Sequence, residues 1–167
     1  ITLLGFLAYL PHSKHLHIVT APFNVWLRNL APKGQLPYFN VEEAIEQEKP
    51  LGVAEVTDLT WKDLLDSYTC TECGRCTSQC PASISGKPLS PKDLILNLRH
   101  YLLERGPELL PNKSEGEVLT TAAHAEAEQA RRRLVGDVIT DEVLWDCTTC
   151  RACVDACPVF IDHVPKI

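Results

Sequence analysis

The sequence predicts a mainly α-helical fold that is organised around two cysteine runs. Both runs read C-x2-C-x2-C-x3-C-P, and they occupy residues 70–81 and 147–158. All eight cysteines of the chain lie in these runs. The stretches that precede and separate the runs carry helix-start signals and apolar residues at helical spacing. Together these observations favour helices that position two metal-binding loops.

A short helix is predicted immediately before each run. Thr60 is a good N-cap, and Asp63 suits the first turn of a helix over residues 60–68. The stretch Thr140-Asp141-Glu142 starts a matching helix through Trp145, and each lead-in helix contains one tryptophan. The chain therefore has a two-fold internal repeat, with one capped helix leading into each cysteine run.

The insertion between the runs is expected to be rich in helix. Residues 82–89 read as turns, and Ser90-Pro91 then starts a helix that should run to about Arg105, where Gly106-Pro107 would stop it. Residues 118–134 are predicted as a weak helix, with Arg131 to Arg133 on a solvated face. The apolar stripe of the long helix consists of Leu94, Leu98, Tyr101 and Leu102.

Residues 1–10 are apolar and uncharged, and Pro11 should end their helix. Ten helical residues span about 15 Å, which is half a bilayer core. We therefore expect the end of a transmembrane or apolar helix whose beginning lies in a longer protein. The alternative is a short buried helix of a soluble domain.

Residues 11–40 are predicted as a membrane-proximal amphipathic segment and linker. Thr20 would cap a helix with Pro22 in its first turn, and residues 31–40 would form the linker. Its apolar stripe would lie in a membrane interface or pack on a neighbouring domain; the stripe is formed by Phe23, Trp26, Leu27 and Leu30. We expect interfacial or structural roles for His12, His15 and His17, with haem ligation as the alternative.

Charge is divided unevenly along the chain. Residues 1–41 contain three basic residues and no acidic one, whereas the remainder contains 13 basic and 22 acidic residues. An acidic body disfavours nucleic acid as a partner. The basic, apolar N-terminal piece favours a membrane surface.

The cysteine pattern suits iron–sulfur clusters better than zinc or disulfides. Three cysteines at i, i+3 and i+6 place three sulfurs on one side of a turning backbone, and this is the spacing of [4Fe–4S] sites in bacterial-type ferredoxins. Structural zinc is usually bound by separated pairs of cysteines. Secreted disulfide scaffolds spread their cysteines along the chain. We therefore expect two [4Fe–4S] clusters.

The runs and the long insertion between them resemble the α-helical ferredoxin domain. The resemblance covers about residues 57–164 and is carried by residues 70–76 and 147–150, so we assign residues 41–167 to such a domain. Relatives include the heterodisulfide reductase C subunit and succinate dehydrogenase iron–sulfur proteins. Residues 10–18 and 21–24 resemble the segment that leaves the membrane domain in heterodisulfide reductase-related iron–sulfur proteins, some of them similar to electron transfer flavoprotein:menaquinone oxidoreductases.

The resemblance also implies a ligand set. In two-cluster ferredoxins the fourth cysteine of each run ligates the other cluster. One cluster would then take Cys70, Cys73, Cys76 and Cys157, and the other Cys147, Cys150, Cys153 and Cys80. Gly74 would let backbone amides approach the sulfurs. Arg75 and Arg151 would either offset cluster charge or act as ordinary surface residues.

The function implied is that of an electron-transfer module of a membrane-bound oxidoreductase at the cytoplasmic face of the cell membrane. It would relay single electrons between a soluble partner, such as electron transfer flavoprotein, and a quinone or a haem b held by a membrane domain outside this chain. A partner region with cysteine-rich CCG motifs, or a flavoprotein partner, is also implied. The alternative is a ferredoxin-like subunit of a soluble heterodisulfide reductase-type complex, and a third reading makes the clusters structural. No nucleotide loop or catalytic set stands out, so we expect no substrate-converting site here.

Overall fold

The computed structural model describes residues 2–13, 15–32, 40–46, 52–109 and 132–167, and within these ranges it contains helices and turns but no β-strand. This agrees with the predicted mainly α fold. The helices are α1 (Thr2–Tyr9), α2 (Leu16–Trp26), α3 (Val41–Glu46), α4 (Trp61–Thr69), α5 (Arg75–Ser78), α6 (Pro81–Ile84), α7 (Pro91–Leu109), α8 (Asp141–Trp145) and α9 (Ala152–Ala156). Single 3-10 turns lie at Leu10–His12, Val56–Asp58 and Val164–Lys166.

Helix α7 forms the centre of the core. It packs against α4 and α5, and its buried side consists of Leu94, Ile95, Leu98 and Tyr101. This spacing is that of one helical face. The predicted stripe is confirmed except at Leu102, which is only half-buried, and Ile95 belongs to the face as well.

Helix α4 is capped as predicted and leads into the first cysteine run. Thr60 Oγ1 accepts a hydrogen bond from the Asp63 amide at 3.3 Å, and an Asp63 carboxylate oxygen accepts one from the Thr60 amide at 3.0 Å. This reciprocal pair is a capping box. Helix α8 also starts after its predicted cap, although the Thr140 side chain makes no capping hydrogen bond. Helix α9 then packs on α5, which brings the two cysteine runs together.

Three helix boundaries were predicted wrongly. Helix α2 begins at Leu16, so Thr20 lies inside it, and the Thr20 hydroxyl donates to the Leu16 carbonyl at 3.4 Å instead of capping. Helix α7 continues past Gly106-Pro107, because a proline in the last turn removes only one backbone donor. Residues 81–84 form α6 rather than a turn, because Pro81 occupies the first helical position, where no N–H is needed. The predicted helix over 118–134 and most of the linker lie outside the described residues.

Helices α1 and α2 turn apolar side chains outward. No residue of α1 is buried. On α2, Phe23 and Trp26 are exposed whereas the polar Asn24 is fully buried. The amphipathic order of α2 is thus the reverse of that expected for a helix on an apolar core. No helix in the described ranges is long and apolar enough to cross a membrane.

Asp66 joins α2, α4 and the C-terminal turn. Its carboxylate is fully buried and accepts hydrogen bonds from Asn24 Nδ2 at 2.9 Å, Lys62 Nζ at 2.6 Å and Lys166 Nζ at 2.7 Å. Asn24 Nδ2 also donates to the Val159 carbonyl at 2.9 Å. A buried carboxylate is tolerated when it is paired and hydrogen-bonded in this way. The group therefore holds the segment after the second cysteine run against α2 and α4.

Replacing Asp66 with alanine should lower the free energy of unfolding by about 3–5 kcal/mol, because two lysine ammonium groups lose a buried partner. Denaturant unfolding of the cluster-loaded protein, followed by circular dichroism, measures this. Asp93→Ala makes the same chemical change at a more exposed ion pair on α7 and should cost less than about 1 kcal/mol. Equal losses in the two variants would contradict the role of Asp66.

Candidate metal centre

The two cysteine runs follow the same backbone course. The second residue after the first cysteine has a positive φ in both, 56° at Glu72 and 53° at Thr149. The residue before the short helix does as well, 78° at Gly74 and 61° at Arg151. Positive φ is uncommon outside glycine and costs on the order of 1–3 kcal/mol, and such residues cluster at functional sites. The repetition indicates that both loops are shaped around the same kind of bound group.

Backbone amides of these loops donate to cysteine sulfurs. The Thr149 amide lies 3.4 Å from Cys147 Sγ, and the Ile161 amide lies 3.4 Å from Cys157 Sγ. Such N–H···S hydrogen bonds favour the negatively charged sulfur and raise the reduction potential of a cluster bound to it. Amide donation to sulfur is therefore present at Cys147 and Cys157 of the second run.

Burial raises the pKa of most of the inward-facing thiols. The pKa of Cys76 rises to about 11 and that of Cys153 to about 12, and those of Cys70 and Cys157 rise as well. At Cys73 burial also opposes ionisation, but hydrogen bonds from a neighbouring amide and a threonine hydroxyl outweigh it and lower the pKa. Because a thiol must lose its proton to bind metal, the positive charge of bound iron would be needed to keep the buried sulfurs ionised.

Four cysteines line each of two cavities. Cys70, Cys73 and Cys76 line the first together with Cys157, which comes from the second run. The second cavity is lined by Cys147, Cys150, Cys153 and, from the first run, Cys80. The fourth cysteine of each run thus faces the cavity of the other run.

The donor atoms fit iron–sulfur clusters. All eight cysteines are free thiols, and four sulfur donors around a cavity form the usual ligand set of a [4Fe–4S] cluster. Within the described ranges, no three histidine, cysteine or acidic side chains lie close enough to share a single metal ion. The second cysteine of each run, Cys73 or Cys150, is exposed, so each cavity has one corner that faces solvent.

Basic side chains lie beside both cavities. Arg151, which the sequence singled out, lines the second cavity and pairs with Asp162 at 3.2 Å. Arg75 is exposed, and its charge helps to lower the pKa of Cys73. The nearby cation thus helps to stabilise the Cys73 thiolate, whereas burial still raises the pKa of Cys70, Cys76, Cys153 and Cys157.

Two basic residues of α7 were missed by the sequence analysis. Lys92 lines the first cavity. Arg99 pairs with Glu72 at 2.7 Å, and its positive charge opposes the rise in the pKa of Cys70. The two residues are seven apart, which places them on one helical face, so their spacing was an available signal.

His163 is a further residue of the first cavity that the sequence analysis did not identify. The side chain is buried, and its Nδ1 has no hydrogen-bond partner among the described residues. Burial first, and the charge of Lys166 second, lower the pKa of His163 to about 4, so the imidazole is neutral near pH 7. In contrast, His12, His15 and His17 are not among the residues that line the two cysteine cavities.

Comparison with known proteins supports the same cofactor class. Residues 62–158 match the family described as 4Fe-4S dicluster domain. The chain is 40% identical to the probable iron–sulfur-binding oxidoreductase FadF of Bacillus subtilis over 99% of the chain and 26% of that protein. It is 41% identical to the EtfAB:quinone oxidoreductase of Syntrophomonas wolfei over 97% of the chain and 23% of that protein. No solved structure matches the chain.

A third relative is the probable membrane-anchored ferredoxin of Chromohalobacter salexigens, which is 38% identical over 73% of the chain and 18% of that protein. The chain thus spans about a quarter or less of the curated relatives named here. The predicted relation to heterodisulfide reductase-related iron–sulfur proteins is confirmed. The family match covers more than half of the chain and includes all eight cysteines. The chain therefore belongs to the 4Fe-4S dicluster domain family and is an iron–sulfur electron-transfer module of the kind found in oxidoreductases.

Proposed function

We propose that each cysteine-lined cavity binds one [4Fe–4S] cluster and that the ligands cross between the runs. Family membership supports the cofactor, and the lining of the two cavities supports the partition. The first cluster takes Cys70, Cys73, Cys76 and Cys157, and the second takes Cys147, Cys150, Cys153 and Cys80. Each cluster when bound carries one electron at a time. The protein supplies the thiolates, the amide donors and the basic side chains that make the reduced state accessible.

The crossed ligand set predicts which pairs of substitutions spare a cluster. Cys70→Ala with Cys157→Ala removes two ligands of the first cluster only, so about four iron atoms per chain should remain. Cys70→Ala with Cys80→Ala removes one ligand from each cluster, so neither should remain as an intact [4Fe–4S] centre. Iron and sulfide analysis and electron paramagnetic resonance of the reduced protein measure both results.

Cys80→Ala with Cys147→Ala is the matched control for the second cavity. It should also leave about four iron atoms per chain, now in the first cluster. If instead Cys70→Ala with Cys80→Ala spared a cluster and the other two pairs did not, each run would hold its own cluster. That result would contradict the proposal that the fourth cysteine of each run ligates the other cluster.

We further infer that the chain relays single electrons within a membrane-associated oxidoreductase. The observation that carries this inference is the contact of α5 with α9, which sets the two cysteine-lined cavities side by side, each with one exposed corner, at Cys73 or Cys150. One corner can receive an electron and the other can release it. The name of the Syntrophomonas wolfei relative, EtfAB:quinone oxidoreductase, supports an electron transfer flavoprotein and a quinone as the two partners, and we propose the quinone as the acceptor.

A haem b in a neighbouring membrane domain is an equivalent acceptor in this proposal, and a CCG-type or flavoprotein domain is an equivalent partner on the soluble side. All of these lie outside the chain. The described residues offer the ligands and basic groups for electron carriers, and their chemistry needs no substrate to be bound or converted here.

The outward apolar surface of α1 and α2 supports placement at the cytoplasmic face of a membrane. All of the described α1 residues are exposed, and Phe23 and Trp26 continue this surface on α2. An apolar surface of this kind marks a membrane or protein contact. Similarity to the probable membrane-anchored ferredoxin favours a membrane contact. The alternative function, a ferredoxin-like subunit of a soluble heterodisulfide reductase-type complex, would use the same surface to bind a protein partner.

In the full-length protein, electrons from chemically reduced electron transfer flavoprotein should reach a quinone only when both clusters are intact. Cys73→Ala and Cys150→Ala should each reduce the rate of quinone reduction to the background level. Stopped-flow absorption spectra measure the two steps separately, the reduction of the clusters by the flavoprotein and the reduction of the quinone by the clusters. Ser78→Ala changes an exposed residue of α5 that is not a ligand, and it should keep the rate. Quinone reduction that persists without clusters would contradict the relay.

Trp26 should enter the interface of phospholipid vesicles, because its side chain is 80% exposed on the apolar side of α2. In a variant whose only tryptophan is Trp26, vesicles should shift the fluorescence maximum to shorter wavelength. The matched control keeps only Trp145, which is 87% exposed on α8, and its maximum should stay unchanged. If neither maximum moves and the chain stays in the supernatant, the soluble-complex alternative is favoured.

A further inference from the structure

The buried His163 lies in the wall of the first cavity. Its side chain is 1% exposed and contributes to the wall formed with Cys70, Cys73, Cys76 and Cys157. It follows the second cysteine run and precedes the turn Val164–Lys166. A polar ring at such a depth normally has its nitrogen atoms hydrogen-bonded.

The protein around His163 does not provide a full set of partners. The ring interacts with the backbone of Ile161, but Nδ1 has no hydrogen-bond partner within the described ranges. Asp66 is nearby, yet its carboxylate already accepts from Asn24, Lys62 and Lys166. Leaving a buried polar atom unpaired is destabilising. Such a cost is removed if the ring has a partner inside the cavity.

The second cavity lacks an equivalent residue. When the two runs are aligned at their Cys-Pro pairs, the position of His163 corresponds to Gly86, which has no side chain. Besides its cysteines and Arg151, the second cavity is lined by one side chain with a hydrogen-bond donor, Thr148, and Thr71 is its counterpart in the first cavity. Each cavity has one basic residue in its wall, Lys92 or Arg151. The first cavity alone is also lined by Glu72, which is paired with Arg99 at 2.7 Å, and by His163, so the imidazole is the donor that distinguishes the two walls.

We propose that an imidazole N–H of His163 donates a hydrogen bond to a sulfur of the first cluster and raises the reduction potential of this cluster above that of the second. The proposal rests on the crossed cluster assignment given above. A donor to sulfur stabilises the reduced cluster more than the oxidised one, because reduction adds negative charge to the sulfurs. Electrons therefore collect at the first cluster, which makes it the exit of the module.

The hydrogen bond has a direct spectroscopic signature. In protein grown with ring-¹⁵N histidine, the reduced first cluster should show a ¹⁵N hyperfine coupling in pulsed electron paramagnetic resonance. The coupling should be lost in His163→Gln. It should persist in His100→Gln, which changes a histidine of α7 that lines a separate cleft. Absence of the coupling in the wild-type holoprotein would overturn the proposal.

The potentials provide the second measurement. His163→Phe keeps a ring but removes the donor. At a fixed solution potential, the ratio of reduced to oxidised first cluster should therefore fall about tenfold, which is a fall of about 59 mV in the one-electron reduction potential. His163→Gln retains an N–H and should recover part of this loss. The second cluster, measured in the same sample, should keep its potential. An unchanged first potential in His163→Phe with both clusters loaded would also overturn the proposal.

These outcomes are separate from failure of the proposed function. If the paired cysteine substitutions show that each run holds its own cluster, both the crossed ligand set and the assignment of His163 to the first cluster fail. If they support the crossed ligand set but the ¹⁵N coupling is missing, only the role of His163 fails. Should His163→Phe not load its first cluster, the coupling in the wild-type protein still decides the question.

Discussion

The buried carboxylate of Asp66 is the interaction on which the relative placement of the elements depends. It connects α4, which leads into the first cysteine run, with Lys166, which follows the second, and with Asn24 of α2. A carboxylate at this depth is stable only when its partners are in place. The group therefore couples the approach of the two runs to the docking of the N-terminal segment, so the cavities and the outward apolar surface form together.

Within this arrangement the runs are alike in backbone and unlike in surroundings. The positive φ angles at Glu72 and Thr149, and at Gly74 and Arg151, give both loops the same shape. Their walls differ, because His163 has a side chain where the first run has Gly86. In the proposal made above, the unequal walls around a repeated ligand loop give two similar carriers different potentials, which would favour transfer in one direction.

The N-terminal helices add a second contrast, between a polar inner side and an apolar outer side. Asn24 reaches the Val159 carbonyl near the second cysteine run, whereas Phe23 and Trp26 of the same helix face outward. The segment that contacts the cluster-bearing core is thus the segment whose exterior suits a membrane. This gives a short structural connection between the proposed membrane contact and the proposed clusters.

The sequence by itself determined the cofactor class, the lead-in helix capped by Thr60, and most of the buried side of α7, because these depend on local spacing and on side chains that act within one turn. It did not predict the start of α2 or the end of α7, because the Thr20 hydroxyl bonds to the Leu16 carbonyl within α2 instead of capping it, and Pro107 removes only one backbone donor from the last turn of α7. It also missed Lys92, Arg99 and His163. Only the tertiary structure placed these residues near the cysteines, because a side chain distant in sequence acquires a role in the site when packing sets it beside a sulfur.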